Sequence, residues 1–148
     1  MKCPFCSQDD TQVIDSRVNE QGNSIRRRRR CSGCEKRFTT YERVELDLNI
    51  IKKDGRREKF TREKLFVGVE KNLQKRPFSS EQIEEIVDEI VARVYRVAKD
   101  KDITSSRVGQ IVMDKLKKVD KIAYVRFAAV YRDFADIDDF KKELKELK

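Results

Sequence analysis

The sequence predicts an α+β protein: a small three-stranded β module stapled by cysteines, then a mainly α-helical domain that opens with a β-hairpin. Three observations carry this. The four cysteines, Cys3, Cys6, Cys31 and Cys34, all lie in the first 34 residues as two C-x2-C pairs. The chain between and just after them is β-prone and broken by turn residues. From about residue 61 the apolar residues recur at helical spacing instead. A length of 148 residues gives room for one ordinary domain or two small ones.

The cysteine pairs are separated by 24 residues, positions 7–30. Two residues between cysteines let both thiolates of one turn reach a single cation at about 2.3 Å. Two such turns joined by a hairpin complete a tetrahedral S4 site, which favours zinc or iron. Pro4 and Phe5 fill the first turn and Ser32 and Gly33 the second; small residues there let backbone N–H groups turn toward the sulfurs. The alternatives are a disulfide pair and a thioredoxin-like redox motif. The opening Met1-Lys2-Cys3-Pro4-Phe5-Cys6 reads as having no secretory signal, which argues against disulfides. The βαβ context of a redox pair is missing. The expectation is one structural Zn(2+) per chain, saturated by four protein ligands and without an open catalytic position.

Val13–Val18 reads as a strand, residues 19–23 as a turn, and Ser24-Ile25-Arg26 as the start of the return strand. Phe38–Val44 supplies the third. A ribbon of about 45 residues is too small for a self-sufficient core without its metal.

Lys plus Arg total 35 and Asp plus Glu 27, a net charge of +8, and histidine is absent. That absence removes Ser-His-Asp and Cys-His nucleophile systems, HExxH sites and Cys2His2 fingers. Arg26, Arg27, Arg28, Arg29 and Arg30 run consecutively into the second cysteine pair. Side chains alternate along a strand, so Arg26, Arg28 and Arg30 point one way and Arg27 and Arg29 the other. Residues 17–43 hold nine basic side chains against three acidic ones, a net +6. Guanidinium forks suit phosphates and the guanine edge, so Arg17, the five-arginine run and Arg37 are the candidate nucleic-acid contacts. A solvated charge run or a localisation signal is the plainer reading. The pattern does not separate DNA from RNA; double-stranded DNA is preferred for want of a ring of exposed aromatics.

The second domain opens with an alternating apolar stretch, Leu46–Ile51, then Asp54-Gly55, a strong hairpin signal, then a second strand over Arg56–Phe60. Thr61 is placed to cap a helix reaching about Gln74, with Leu65, Phe66, Val69 and Leu73 on its apolar side. Ser79-Ser80-Glu81-Gln82 is a capping box ahead of a helix burying Ile83, Ile86, Val87, Ile90, Val91 and Val94. Thr104 caps a third helix carrying Val108, Ile111, Val112 and Leu116. A fourth spans about Lys121–Phe134 with Tyr124, Phe127, Ala128 and Tyr131. Ile137, Phe140, Leu144 and Leu147 mark a last amphipathic segment. The expected division is residues 1–45, 46–136 and 137–148. No apolar run approaches the roughly 18 residues of a membrane span.

Lys52, Lys53, Arg56, Arg57, Arg62 and Lys64 gather around the hairpin and the first helix N-terminus. Such a corner can hold phosphates without GxxxxGK[ST], which the chain lacks. Basic hairpins are also commonly just solvated.

Five segments, taken together and in this order, resemble the NrdR family of bacterial repressors of ribonucleotide reductase genes: MKCPFCSQDDTQVIDSR, IRRRRRCSGCEKRFTTYER, IIKKDGRREKFTREKL, NLQKRPFSS and KIAYVRFAAVYRDFADI. The first two look like that family's zinc ribbon and the rest like an ATP-cone. The resemblance implies a cytoplasmic, nucleoid-associated repressor, not an enzyme, that senses ATP against dATP. It further implies binding to double-stranded operator DNA and homo-oligomerisation through the cone domains. Position by position, it implies nucleotide contacts from Lys52, Lys53, Glu58 and Lys64, and also from Thr104, Tyr124 and Tyr131. Two other classes remain in view, an ATPase or reductase component and a zinc-ribbon adaptor for RNA polymerase or RNA. Turnover with Mg-ATP tests the first, and survival of binding against excess nonspecific DNA tests the second.

Overall fold

The computed structural model describes residues 1–20, 22–145 and 147. Contacts divide the chain into two compact units, Met1–Leu46 and Asp47–Lys148.

The first unit is a three-stranded antiparallel sheet in the order β1-β2-β3, formed by β1 (Thr11–Val18), β2 (Ser24–Cys31) and β3 (Arg37–Arg43). The β1–β2 turn closes because the Asn19 side chain accepts hydrogen bonds from the backbone N–H groups of Asn23 (3.0 Å) and Ser24 (3.2 Å). Ile14 is an extra residue in β1, since Val13 faces Arg29 while Asp15 already faces Arg28. The bulge keeps Gln12, Asp15 and Arg17 in phase on one face of the sheet. Among the described residues of this unit only Cys3, Ser24 and Cys31 are fully buried, while Val13, Ile14 and Val18 remain 44–62% exposed. A sheet with so little apolar burial depends on the cysteine cluster for its stability.

Among its described residues the second unit packs five helices with a small sheet. The helices are α1 (Arg62–Leu73), α2 (Ser80–Val97), α3 (Ser105–Val119), α4 (Lys121–Tyr131) and α5 (Ile137–Lys145). The hairpin strands β4 (Asn49–Ile51) and β5 (Arg57–Lys59) are shorter than the alternating sequence implied. Leu48 is instead drawn into the core. A third strand that the sequence pattern did not reveal, β6 (Asp102–Thr104), pairs parallel with β4, giving the order β5-β4-β6. Three residues are too few to display alternation. Asp102 ties the strands together, accepting from Asn49 (3.1 Å) and Arg57 (2.8 Å). At the hairpin tip the Lys52 N–H donates to Arg56 O and the Gly55 N–H to Lys52 O, each at 2.9 Å. Gly55 sits at φ +83°, a conformation open to glycine at no steric cost.

The apolar stripe of α2 is buried as its periodicity demands, against Ile111, Val112 and Leu116 of α3 and Val69 and Leu73 of α1. Ser79 and Gln82 form the reciprocal capping box of α2, and Thr104 accepts from Arg107 N to cap α3. Asp120 caps α4 through Ala123 N (2.8 Å) while holding Arg76 at 2.8 Å.

Three expectations need correction. Thr61 occupies the N-cap position of α1 but its side chain makes no capping hydrogen bond. The helix start is held instead by Arg62, whose guanidinium pairs with Glu84 (2.5 Å) and the buried Asp88 (2.6 Å) of α2. Helix α4 ends at Tyr131 rather than Phe134, because Asp133 turns to φ 51°. In α5, Ile137 and Leu144 are exposed and Glu143 is buried, and Leu147 just beyond the helix is buried as well. Glu143 accepts from the Tyr124 hydroxyl and pairs with Arg132 at 2.9 Å, while Phe140 packs edge-on against Phe134 and Leu147 joins the core, so a polar anchor docks this segment alongside half of the expected apolar stripe.

Candidate functional site

Cys3 and Cys6 lie on one tight turn and Cys31 and Cys34 on another, the second opening at the end of β2. Their four sulfurs lie within 4.8 Å of one another, with Cys3–Cys34 and Cys6–Cys31 separations of 3.6 Å. Four ligands at about 2.3 Å around a tetrahedral zinc have edges of roughly 3.8 Å, so the donor set fits that ion. The thiol chemistry points the same way. Burial pushes Cys3 up, but N–H donation from Phe5 and Cys6 and the neighbouring thiols override it and lower Cys3 to about 7. The Gln8 N–H favours the Cys6 thiolate, yet burial and the adjacent sulfurs prevail and raise it to about 12. Four thiolates so close together need a cation between them.

The sheet register sorts the arginines. Across the strands Arg26 faces Arg17 and Tyr41, Arg28 faces Asp15 and Thr39, and Arg30 faces Gln12 and Arg37. Opposed residues share a face, so Arg17, Arg26, Arg28, Arg30 and Arg37 form one cationic surface. Arg43, two residues beyond Tyr41, joins it with its guanidinium 4.2 Å from the Tyr41 ring centre. Arg43 lies outside the contacts expected from the sequence; its even spacing from Arg37 is the signal that could place it on this face. Acidic partners on this side include Asp15, 3.1 Å from Arg17, and Glu35, 2.5 Å from Arg30.

Arg27 and Arg29 belong to the opposite face and are tied there. Arg27 pairs with Glu42 at 2.9 Å, and Arg29 donates to Thr40 and Thr11 at 3.4 Å each. Residues 1–46 hold ten Lys and Arg against seven Asp and Glu, 10 − 7 = +3. A dication on four thiolates would lower that by two. The unit is therefore nearly neutral overall but strongly sided, and a sided charge grips a polyanion at contact range.

In the second unit the hairpin and α1 meet at Glu58, which lies 3.3 Å from Lys52 and 3.8 Å from Lys64. Lys53 is exposed on the turn. Lys64 also stands at the edge of a cavity of about 230 Å³ walled by Leu65, Gly68 and Val69 of α1, Ser105, Val108, Gly109 and Val112 of α3, and Phe127 and Tyr131 of α4. Phe127 and Tyr131 stack at 5.5 Å and 21°, and the Tyr131 hydroxyl donates to Ser106 O at 2.6 Å. Burial raises the Tyr131 hydroxyl above its ordinary value, with Arg132 opposing.

Of the residues implied by resemblance, Lys64 and Tyr131 line the cavity, and Lys52 and Glu58 join Lys64. Thr104 caps α3 immediately before the lining residue Ser105. Tyr124 lies elsewhere: it is buried in the core with its hydroxyl on Glu143, and it is absent from the cavity wall. The apolar wall residues went unrecognised in sequence because they follow the same helical periodicity as the core. Gly68 and Gly109 were the available signal, since glycine inside a helix costs about 1 kcal/mol against alanine.

An apolar cavity with a lysine at its edge accepts a flat ring inside and an anionic tail outside. Residues 1–42 match the family model described as transcriptional repressor NrdR-like, N-terminal domain, and residues 48–137 match the ATP cone domain. The chain is 55% identical over 148 residues to a transcriptional repressor NrdR of Pelotomaculum thermopropionicum, covering 99% of this chain and 89% of the relative. It is 52% identical over 149 residues to that of Polynucleobacter necessarius subsp. necessarius, covering 100% of both. For the Petrotoga mobilis repressor the identity is 53% over 149 residues, covering 100% of this chain and 99% of the relative.

Proposed function

The chain belongs to the NrdR family of transcriptional repressors, and from that premise we propose how its two units divide the work. The protein is a nucleotide-sensing repressor rather than an enzyme. Its first unit is a zinc ribbon that grips double-stranded operator DNA upstream of ribonucleotide reductase genes, and its second is an ATP-cone that binds ATP or dATP. The nucleotide sets the assembly of cones, and the assembly sets operator affinity, in the cytoplasm at the nucleoid.

One observation carries this reading: the same chain presents six arginines on one face of a metal-clamped sheet and, in a separate unit, a small apolar cavity edged by Lys64. The cavity is smaller than the roughly 300–1,000 Å³ of sites that enclose a drug-sized ligand. It suits a base alone, leaving the triphosphate to Lys64, Lys52 and Lys53. Phosphate entering there competes with Glu58 for Lys52 and Lys64, which gives ligand binding a direct handle on the β4–β5 hairpin. Glu58, released from the lysines, is an acceptor for the base amine or a ribose hydroxyl.

A ribbon of 46 residues offers less contact area than the roughly 1,000–2,500 Å² of specific DNA interfaces. Several ribbons at fixed spacing are therefore needed, and a coupling of about 1–3 kcal/mol between nucleotide and assembly suffices to control them. No helix among the described residues is long and apolar enough to cross a membrane. The test is sedimentation and operator binding run side by side with ATP, dATP and no nucleotide. Mass and operator affinity are expected to change together. An unchanged oligomer distribution with a changed affinity would place the switch outside the assembly of cones.

A further inference from the structure

Two glycines lie inside helices of the second unit, Gly68 in α1 and Gly109 in α3. Neither has a positive φ, so backbone conformation does not demand them. Gly109 has a packing reason: a Cβ built there would lie 2.0 Å from the Tyr131 ring, so bare backbone is what lets Tyr131 rest against α3. Gly68 has no such reason. A Cβ at Gly68 meets no described atom within 4 Å, although the residue lines the cavity. Alanine there would strengthen α1 without a clash.

We propose that Gly68 is the affinity-setting position of this cavity, its bare backbone forming the surface against which the purine base of the bound nucleotide lies. The inference rests on the nucleotide reading given above. The α4 wall of the same cavity is the Phe127–Tyr131 stack, and the Tyr131 hydroxyl bond to Ser106 O keeps that ring from withdrawing. A flat ligand confined on that side cannot retreat from a methyl group added on α1. Side chains at Gly68 therefore exclude the base in proportion to their size, while the ligand-free fold tolerates them.

The experiment uses the full zinc-loaded chain and calorimetric titration with ATP and with dATP. Wild type, Gly68→Ala and Gly68→Leu are compared, with melting temperature measured without nucleotide. Gly68→Ala is expected to raise the melting temperature by a few degrees and weaken both nucleotides at least tenfold, with Gly68→Leu abolishing binding. Gly109→Ala provides the contrast and is expected to melt lower, because it collides with Tyr131. If Gly68→Ala and Gly68→Leu bind ATP and dATP within twofold of wild type, the proposal is overturned and the nucleotide reading stands. If Gly68→Ala melts lower without nucleotide, a structural role replaces the one proposed. If wild type itself binds neither nucleotide, the underlying reading falls and this inference with it.

Discussion

Substituting Arg28 and Arg29 separately tests the division of the sheet into a gripping face and a structural face. The two are adjacent in β2 and carry the same charge, but they point to opposite sides of the sheet. Each phosphate contact contributes about −0.9 to the slope of log affinity against log salt on duplex DNA. Six arginines on the cationic face therefore give a slope of about −5 per ribbon when all are engaged. Raising salt from about 50 to about 200 mM multiplies the affinity lost by about 3.5 for each contact. Arg28→Ala should flatten the slope by about 0.9 per ribbon if Arg28 anchors a phosphate. If it reads a base, the loss is about 1–3 kcal/mol on the operator and little on random DNA. Arg29→Ala should leave the slope intact and instead loosen the ribbon, since it removes the hydrogen bonds to Thr11 and Thr40. The assay is fluorescence anisotropy on operator and scrambled duplexes across a salt series, with zinc content checked for each variant. Equal flattening by both substitutions would refute the two-face argument and reduce the run to an undirected patch.

Removing the metal should unfold the first unit alone. Cys31→Ala, or chelation of wild type, is expected to abolish operator binding while ATP and dATP titrate normally, and equal operator affinity in metal-stripped protein would contradict it. The Asp120–Arg76 pair predicts an acid limb to stability. Burial pushes the Asp120 carboxyl up, but the Ala123 N–H and the Arg76 guanidinium override it and hold it below its usual value. A carboxyl with a lowered folded-state pKa contributes stability above its unfolded value near 3.9 and loses it as pH falls through the folded value. Asp120→Asn retains a capping oxygen and should cost about 1 kcal/mol at pH 7. It should also make the decline in melting temperature below about pH 4 shallower; an identical acid limb in wild type and variant would show that Asp120 does not contribute to it.

What could be read from residues alone follows from the range over which each signal acts. The cysteine spacing is a local signal with one strong geometric solution, and the four sulfurs assemble as it requires. The α2 stripe from Ile83 to Val94 is long enough for its period to be unambiguous, and all six residues are buried. The capping residues Ser79 and Thr104 act on the next turn of chain, so they too were legible. Thr61 shows the limit of that rule. Its neighbour Arg62 finds Glu84 and Asp88 on another helix, and that long-range contact fixes the helix start without a side-chain cap. Strand β6 was hidden for the same reason, since only its pairing with β4 makes three residues a strand.

The candidate sites divide along the same line. Alternation places Arg26, Arg28 and Arg30 together, but the register that adds Arg17, Arg37 and Arg43 depends on pairing across three strands and on the bulge at Ile14. The cavity is assembled by helices whose apolar residues look like core residues in sequence, because lining a cavity and filling a core impose the same periodicity. A glycine inside an amphipathic helix is the exception. It breaks propensity without breaking the helix, and the reason is found in what approaches it. Tyr131 supplies that reason at Gly109, where the protein itself occupies the space. At Gly68 the space opens into the cavity, and the cost in helix propensity is offset only when a ligand makes contact there. Sequence can raise that question at both positions; distances across the fold separate the two answers.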